Sequence, residues 1–124
     1  MKTDITTKAD IDKIVFHFYE KVKVDEKIGY FFSDVMKLNW EKHTQKMSNF
    51  WENVLFYTGD YSGDPLNAHK EFHKHFPTTK GHFERWKELF NETLDEYFEG
   101  KNTEKIKEHA SAIADVMVKN IDRF

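Results

Sequence analysis

Trp40-Glu-Lys-His-Thr-Gln-Lys-Met-Ser-Asn-Phe-Trp51, WEKHTQKMSNFW, is the stretch on which the fold turns. Followed to Tyr57, it places Met47, Phe50, Trp51, Val54 and Leu55 on one side of a helical period, with charged and polar residues between them. Neighbours on a helix face stand three or four apart, whereas a strand alternates every second residue. This segment is therefore a helix with one buried face.

The same period continues in both directions. Upstream, Ile11, Ile14, Val15, Phe18 and Val22 form another apolar stripe. Thr7 is placed to cap it, with Asp10 three residues on as the reciprocal partner. A short turn near Asp25 ends at Gly29. Downstream, Thr58-Gly-Asp-Tyr-Ser-Gly-Asp-Pro65 is a loop, and its acidic residues do not match the alternating ligand positions of a calcium loop. Asp64 then caps a short helix with Pro65 in its first position, and Pro77 ends it. A further helix from about Lys80 to Phe98 turns Phe83, Trp86, Phe90, Leu94 and Tyr97 inward, and Gly100 closes it. The last, from about Thr103 to Ile121, buries Ile106, Ala110, Ile113, Met117 and Ile121. With no strand alternation, repeat or linker, residues 1–124 read as one all-α domain.

Composition narrows the function. The 124 residues carry a formal net charge of -3, with lysines interleaved among Asp and Glu, which disfavours nucleic acid as a partner. Absence of cysteine excludes disulfides, thiolate metal sites and cysteine nucleophiles. No apolar run approaches the roughly 20 residues of a membrane span, and no signal-peptide core is visible. The expected location is the cytoplasm. Aromatic residues are abundant, with 12 Phe, 5 Tyr and 3 Trp. Large rings fill a core or line a cavity for a flat apolar ligand.

Asn67-Ala-His-Lys-Glu-Phe-His-Lys-His-Phe-Pro77 holds three of the seven histidines, with His69 and His73 one helical turn apart. Zinc is the first candidate. In the zincin motif a glutamate directly follows the first histidine, but here Lys70 does, and Glu71 is rotated to about the opposite side of the helix. A third zinc ligand is not marked either. Haem iron needs one imidazole, an apolar slot lined by rings, and polar groups across the iron. Tyr19, His43 and Trp86 are candidates for those polar groups. His75 and His82 read as surface or internally satisfied histidines. The competing class is a haem-free helical interaction module, in which every aromatic is core.

Five stretches, in order along most of the chain, give these residues a context: Phe18-Tyr-Glu-Lys-Val22, Gly29-Tyr-Phe-Phe32, Trp40 to Trp51, Gly63-Asp-Pro-Leu-Asn-Ala-His69, and His82-Phe-Glu-Arg-Trp-Lys-Glu-Leu-Phe90. Together they resemble the truncated haemoglobin family, specifically its third group. The resemblance implies a truncated globin fold, a two-over-two helical sandwich around haem b. It implies that Tyr19, His43 and Trp86 stabilise the ligand on the distal side. It further implies that Phe32, Met47, Phe50, Trp51, Phe72 and Phe83 contact the haem or close its pocket.

The iron ligand is His69 if the motif is read forward from Pro65-Leu66, and His73 if it is read backward from Pro77 and Trp86. His69 is preferred because the helix beginning at Pro65 sets the ligand's direction. The family implies O2, NO, CO or a similar small ligand, with redox chemistry favoured over bulk oxygen transport. Peroxidase or NO dioxygenase activity, served by an electron donor, is the enzymatic form of that expectation. A monomer is expected.

Overall fold

The computed structural model describes residues 2–29, 40–57 and 78–120. Four helices account for most of them: α1 (Lys8–Val24), α2 (Trp40–Phe56), α3 (Lys80–Tyr97) and α4 (Lys101–Asn120). The short histidine helix expected before Pro77 lies outside the described residues. So do Phe32, Phe72, His69, His73 and His75.

Helix α1 follows its sequence pattern closely. Ile11, Ile14, Val15, Phe18 and Val22 are buried, and Tyr19 joins them. Thr7 accepts the Asp10 N–H at 3.2 Å, while the Asp10 carboxylate accepts the N–H groups of Thr6 and Thr7 at 2.9 and 3.2 Å. This reciprocal box satisfies donors that the first helical turn leaves over. Asp25 ends the helix and starts the next turn, its carboxylate accepting the N–H groups of Lys27 and Ile28 at 3.0 and 3.1 Å. The turn closes at Gly29, where a side chain would bring a Cβ within 2.7 Å of the Val22 carbonyl oxygen.

Helix α2 stops one residue short of the expected Tyr57. Tyr57 takes the left-handed conformation, φ 59°, and its N–H still reaches the Asn53 carbonyl at 3.1 Å. Thr79 caps α3 with His82 as the reciprocal partner.

Gly100 does not close α3 as expected. Phe98 ends that helix in extended conformation, because the chain there pairs with Thr3, and the Glu99 N–H donates to the Thr3 carbonyl at 3.0 Å. Gly100 instead opens α4, which starts at Lys101, two residues before the expected Thr103. At its φ of 140° an L side chain is strained, and an added Cβ would meet Asp4 Cγ at 2.5 Å.

Asp4 holds this corner. Its carboxylate accepts the N–H groups of Asn102 and Thr103 and the Thr103 hydroxyl, each at 2.9 Å. A residue at the far end of the sequence therefore caps α4. Lys107 adds a salt bridge from α4 to Asp95 on α3.

Helix α1 packs on α2 and α3, and α4 packs on α3 and α2, giving two pairs of helices laid against each other. The main core lies between them, with Ile11, Phe18, Trp51, Phe90, Leu94 and Ile106 at its centre. Burying such side chains contributes about 1.5–3 kcal/mol each, far more than exposed ion pairs. Among the described residues no helix is long and apolar enough to cross a membrane.

Candidate functional site

Tyr19 comes from the buried stripe of α1 and His43 from the first turn of α2. The packing of α1 on α2 brings their rings to 4.9 Å between centroids, edge to face at 73°. Tyr19 is buried and His43 is half-buried. Burial pushes the Tyr19 phenol well above its ordinary pKa, so it stays protonated and able to donate. His43 Nε2 is closed off from solvent. Burial, reinforced by the Lys46 ammonium one turn along α2, lowers the His43 pKa and favours neutral imidazole.

Beyond His43, α2 carries Met47 and Phe50, both half-buried against the core, and Trp51, which is buried. Trp86 reaches the same region from α3. It stacks on Phe90 at 5.6 Å with 3° between the planes, and takes the edge of Phe18 at 5.9 Å and 88°. Phe90 stacks in turn on Trp51, 4.9 Å away. The ring network therefore joins the distal candidates of three helices.

Phe83 lies elsewhere. It belongs to a second apolar cluster with Ala114 and Met117, and both clusters pack against half-buried Trp86 and Ile113. The apolar interior is thus divided, with partly covered rings at the division. Flat apolar walls beside a buried phenol and an adjoining imidazole suit a planar hydrophobic group that presents a polar ligand position. By this test the residues fit haem.

Other charged groups are engaged away from this pair. Arg85 precedes Trp86, but its guanidinium binds Asp25, with Nη2 at 2.7 Å and Nε at 2.8 Å, and Glu88 at 3.2 Å. Arg85 and Asp25 border a cleft of about 520 Å³ between the end of α1 and α3, lined also by Lys21, Lys27 and Glu92. Tyr19 and His43 are not among its lining residues. His82, read from sequence as a surface or satisfied histidine, is satisfied by Thr79 at the start of α3. Among the described residues no group of three His, Cys, Asp or Glu side chains could hold a metal ion.

Sequence reasoning missed several long-range contacts, among them two that end on α3. The Tyr97 hydroxyl lies 3.4 Å from His17 Nδ1, with the rings stacked at 4.6 Å. The Asp25–Arg85 pair spans 60 residues. Neither carries a local signal, since both partners are ordinary helix-face or turn residues.

A two-over-two helical sandwich that brings a buried phenol against an imidazole beside partly covered rings is a globin-type architecture. The profile of the bacterial-like globin family matches residues 3–119, and the chain belongs to that family. It is 32% identical over 117 residues to the group 3 truncated hemoglobin ctb of Campylobacter jejuni subsp. jejuni serotype O:2, which covers 92% of this chain and 90% of that protein. The crystal structure of group III truncated hemoglobin from Campylobacter jejuni matches with a TM-score of 0.87 at 31% identity, covering 98% of this chain and 95% of that one. The resemblance to group III truncated haemoglobins is borne out. Membership in this family implies haem-based binding of small ligands.

Proposed function

We propose that this chain holds haem b in the partly covered apolar region bordered by Met47, Phe50 and Trp86, and binds O2, NO, CO or a similar small ligand there. Phe32, Trp51, Phe72 and Phe83 complete the apolar surroundings in this proposal. His69 is the proposed iron ligand and His73 the alternative. When bound, haem supplies an open coordination position and a one-electron redox couple. The proposed chemistry is redox conversion of NO, peroxide or O2, fed by an electron donor, rather than bulk oxygen transport.

The contact of buried Tyr19 with half-buried His43, whose Nε2 is closed off from solvent, is the observation that carries this reading. Burying a phenol beside a covered imidazole nitrogen carries a cost, because both polar atoms lose hydration. Both are held neutral, Tyr19 as an O–H donor and His43 as an imidazole with one donor and one acceptor nitrogen. Trp86 contributes an indole N–H, which donates only. This set favours a ligand that gains negative charge, and such ligands take part in electron transfer. Holding them tightly slows release, which serves chemistry better than transport.

Removing a hydrogen bond to a charged acceptor costs about 1.5–3 kcal/mol, a factor of roughly 10 to 100 in an equilibrium. Tyr19→Phe in the haem-loaded chain is therefore expected to raise the O2 dissociation rate by about 10- to 100-fold. Stopped-flow displacement of O2 by CO measures it. A change below about twofold would remove Tyr19 from the proposed role.

A further inference from the structure

We infer that Phe90 is a positioning residue for the small-ligand site: its ring sets the plane of the Trp86 indole and hence the direction of the indole N–H. The inference rests on the haem reading above for its consequence, but its geometric basis is independent of haem.

Trp86 is only half-buried, unlike its neighbours Phe18, Trp51 and Phe90. Enclosure therefore does not by itself fix its orientation. Two aromatic contacts at right angles do. The face of Trp86 lies parallel to Phe90, within 3°, and Phe18 meets Trp86 at 88°. The first contact fixes the tilt of the indole, and the second opposes its rotation within that plane.

Phe90 can act as a reference surface because it is itself immobilised. It is 1% exposed, stacked on Trp51 from α2 and met by the edge of Phe18 from α1 at 5.2 Å and 85°. The local sequence explains the pairing: residues 86 and 90 stand four apart on α3, so their side chains share a face. A leucine at 90 would keep most of the burial but offers no flat face. The indole would then lose its tilt constraint while the helix kept its apolar stripe.

The test uses the full chain, haem-loaded and CO-bound, with 15N-labelled tryptophan. The Trp86 indole N–H signal is assigned by its loss in Trp86→Phe. Phe90→Leu is expected to shift and broaden that signal, and to raise the O2 dissociation rate about 10-fold. In the Trp86→Phe background the same Phe90→Leu change is expected to add less than about twofold, because the effect passes through the indole. Leu94→Ala, equally buried on the same helix, lowers the melting temperature and leaves the Trp86 signal in place. Phe90→Met serves if Phe90→Leu does not fold.

An unmoved Trp86 signal would overturn the inference, as would equal rate effects with and without Trp86. If the chain takes up no haem, the preceding proposal fails on its own. The indole comparison in the haem-free chain then decides whether Phe90 sets the Trp86 plane.

Discussion

Asp4→Ala tests how the N-terminal segment stabilises the helical sandwich. The Asp4 carboxylate accepts the Asn102 N–H, the Thr103 N–H and the Thr103 hydroxyl, each at 2.9 Å, together with the Ile5 N–H at 2.9 Å. Loss of a helix cap alone costs about 0.5–2 kcal/mol. Here the cost is higher, because Thr103 is 1% exposed and water cannot readily replace the lost acceptor. A buried donor left unsatisfied adds about 1–3 kcal/mol. The expected total is about 2–4 kcal/mol, a large part of the roughly 5–15 kcal/mol available to a domain. At roughly 4 °C per kcal/mol, the melting temperature should fall by about 8–16 °C.

The same cap predicts a pH dependence. Burial raises the Asp4 pKa, but the hydrogen bonds from Asn102, Ile5 and Thr103 outweigh it and bring the pKa below its ordinary 3.8. A carboxyl with a depressed folded-state pKa contributes its full stabilisation above the unfolded value and loses it as pH falls through the folded one. The gap between wild type and Asp4→Ala should therefore be constant near neutrality and narrow below about pH 4. Urea unfolding followed by helical circular dichroism, from pH 7 to pH 3, measures it. A loss below about 0.5 kcal/mol at pH 7 would refute the capping argument, as would a gap that stays undiminished at pH 3.

Gly100→Ala should cost about 2–4 kcal/mol, since it combines left-handed strain with a Cβ driven into the Asp4 side chain. The Asp4→Ala background removes the contacts with Asp4 Cγ and Oδ2 but keeps that with Cβ at 2.7 Å, so urea titration of the double variant should show only somewhat less than the sum of the single effects. At α3, the Thr79 N–H donates to His82 Nδ1 at 3.0 Å, which requires that nitrogen to be unprotonated. Burial, then the Lys27 ammonium, lowers the His82 pKa, so its stabilisation is complete above the ordinary 6.5 and is lost as pH falls through the lower folded value. His82→Gln keeps an acceptor without a titrating group, and should flatten the fall in stability below pH 6.5 in thermal melts. An unchanged pH profile would remove His82 from the cap.

The helices were legible because their signals are local. Thr7 and Asp10 lie three residues apart and form the expected box, and Ile11, Ile14, Val15, Phe18 and Val22 are buried as their period required. Gly100 misled for the converse reason. Glycine after an apolar stripe ordinarily closes a helix, but pairing of Thr3 with Phe98 ended α3 earlier and left Gly100 to open α4. The Asp4 cap joins residues 98 and 99 positions apart, so no window of sequence contains it. At the site, Tyr19 and His43 were visible only through their place in the family's motifs. Singly, a tyrosine beside an apolar stripe and a histidine before a helix face are ordinary, and only the packing of α1 on α2 brings the two rings together. The choice between His69 and His73 belongs to the register of one helical turn, which periodicity leaves degenerate.

The most direct test of the central claim is an absorption titration of the purified full-length chain with haem. The account predicts a Soret band that saturates at one haem per chain. It predicts that His69→Gly changes the iron's spectrum and that added imidazole restores it, while His73→Gly leaves it unchanged. Loss of the ligand in His73→Gly alone would move the iron one helical turn. A chain that develops no saturable Soret band would contradict the haem proposal itself.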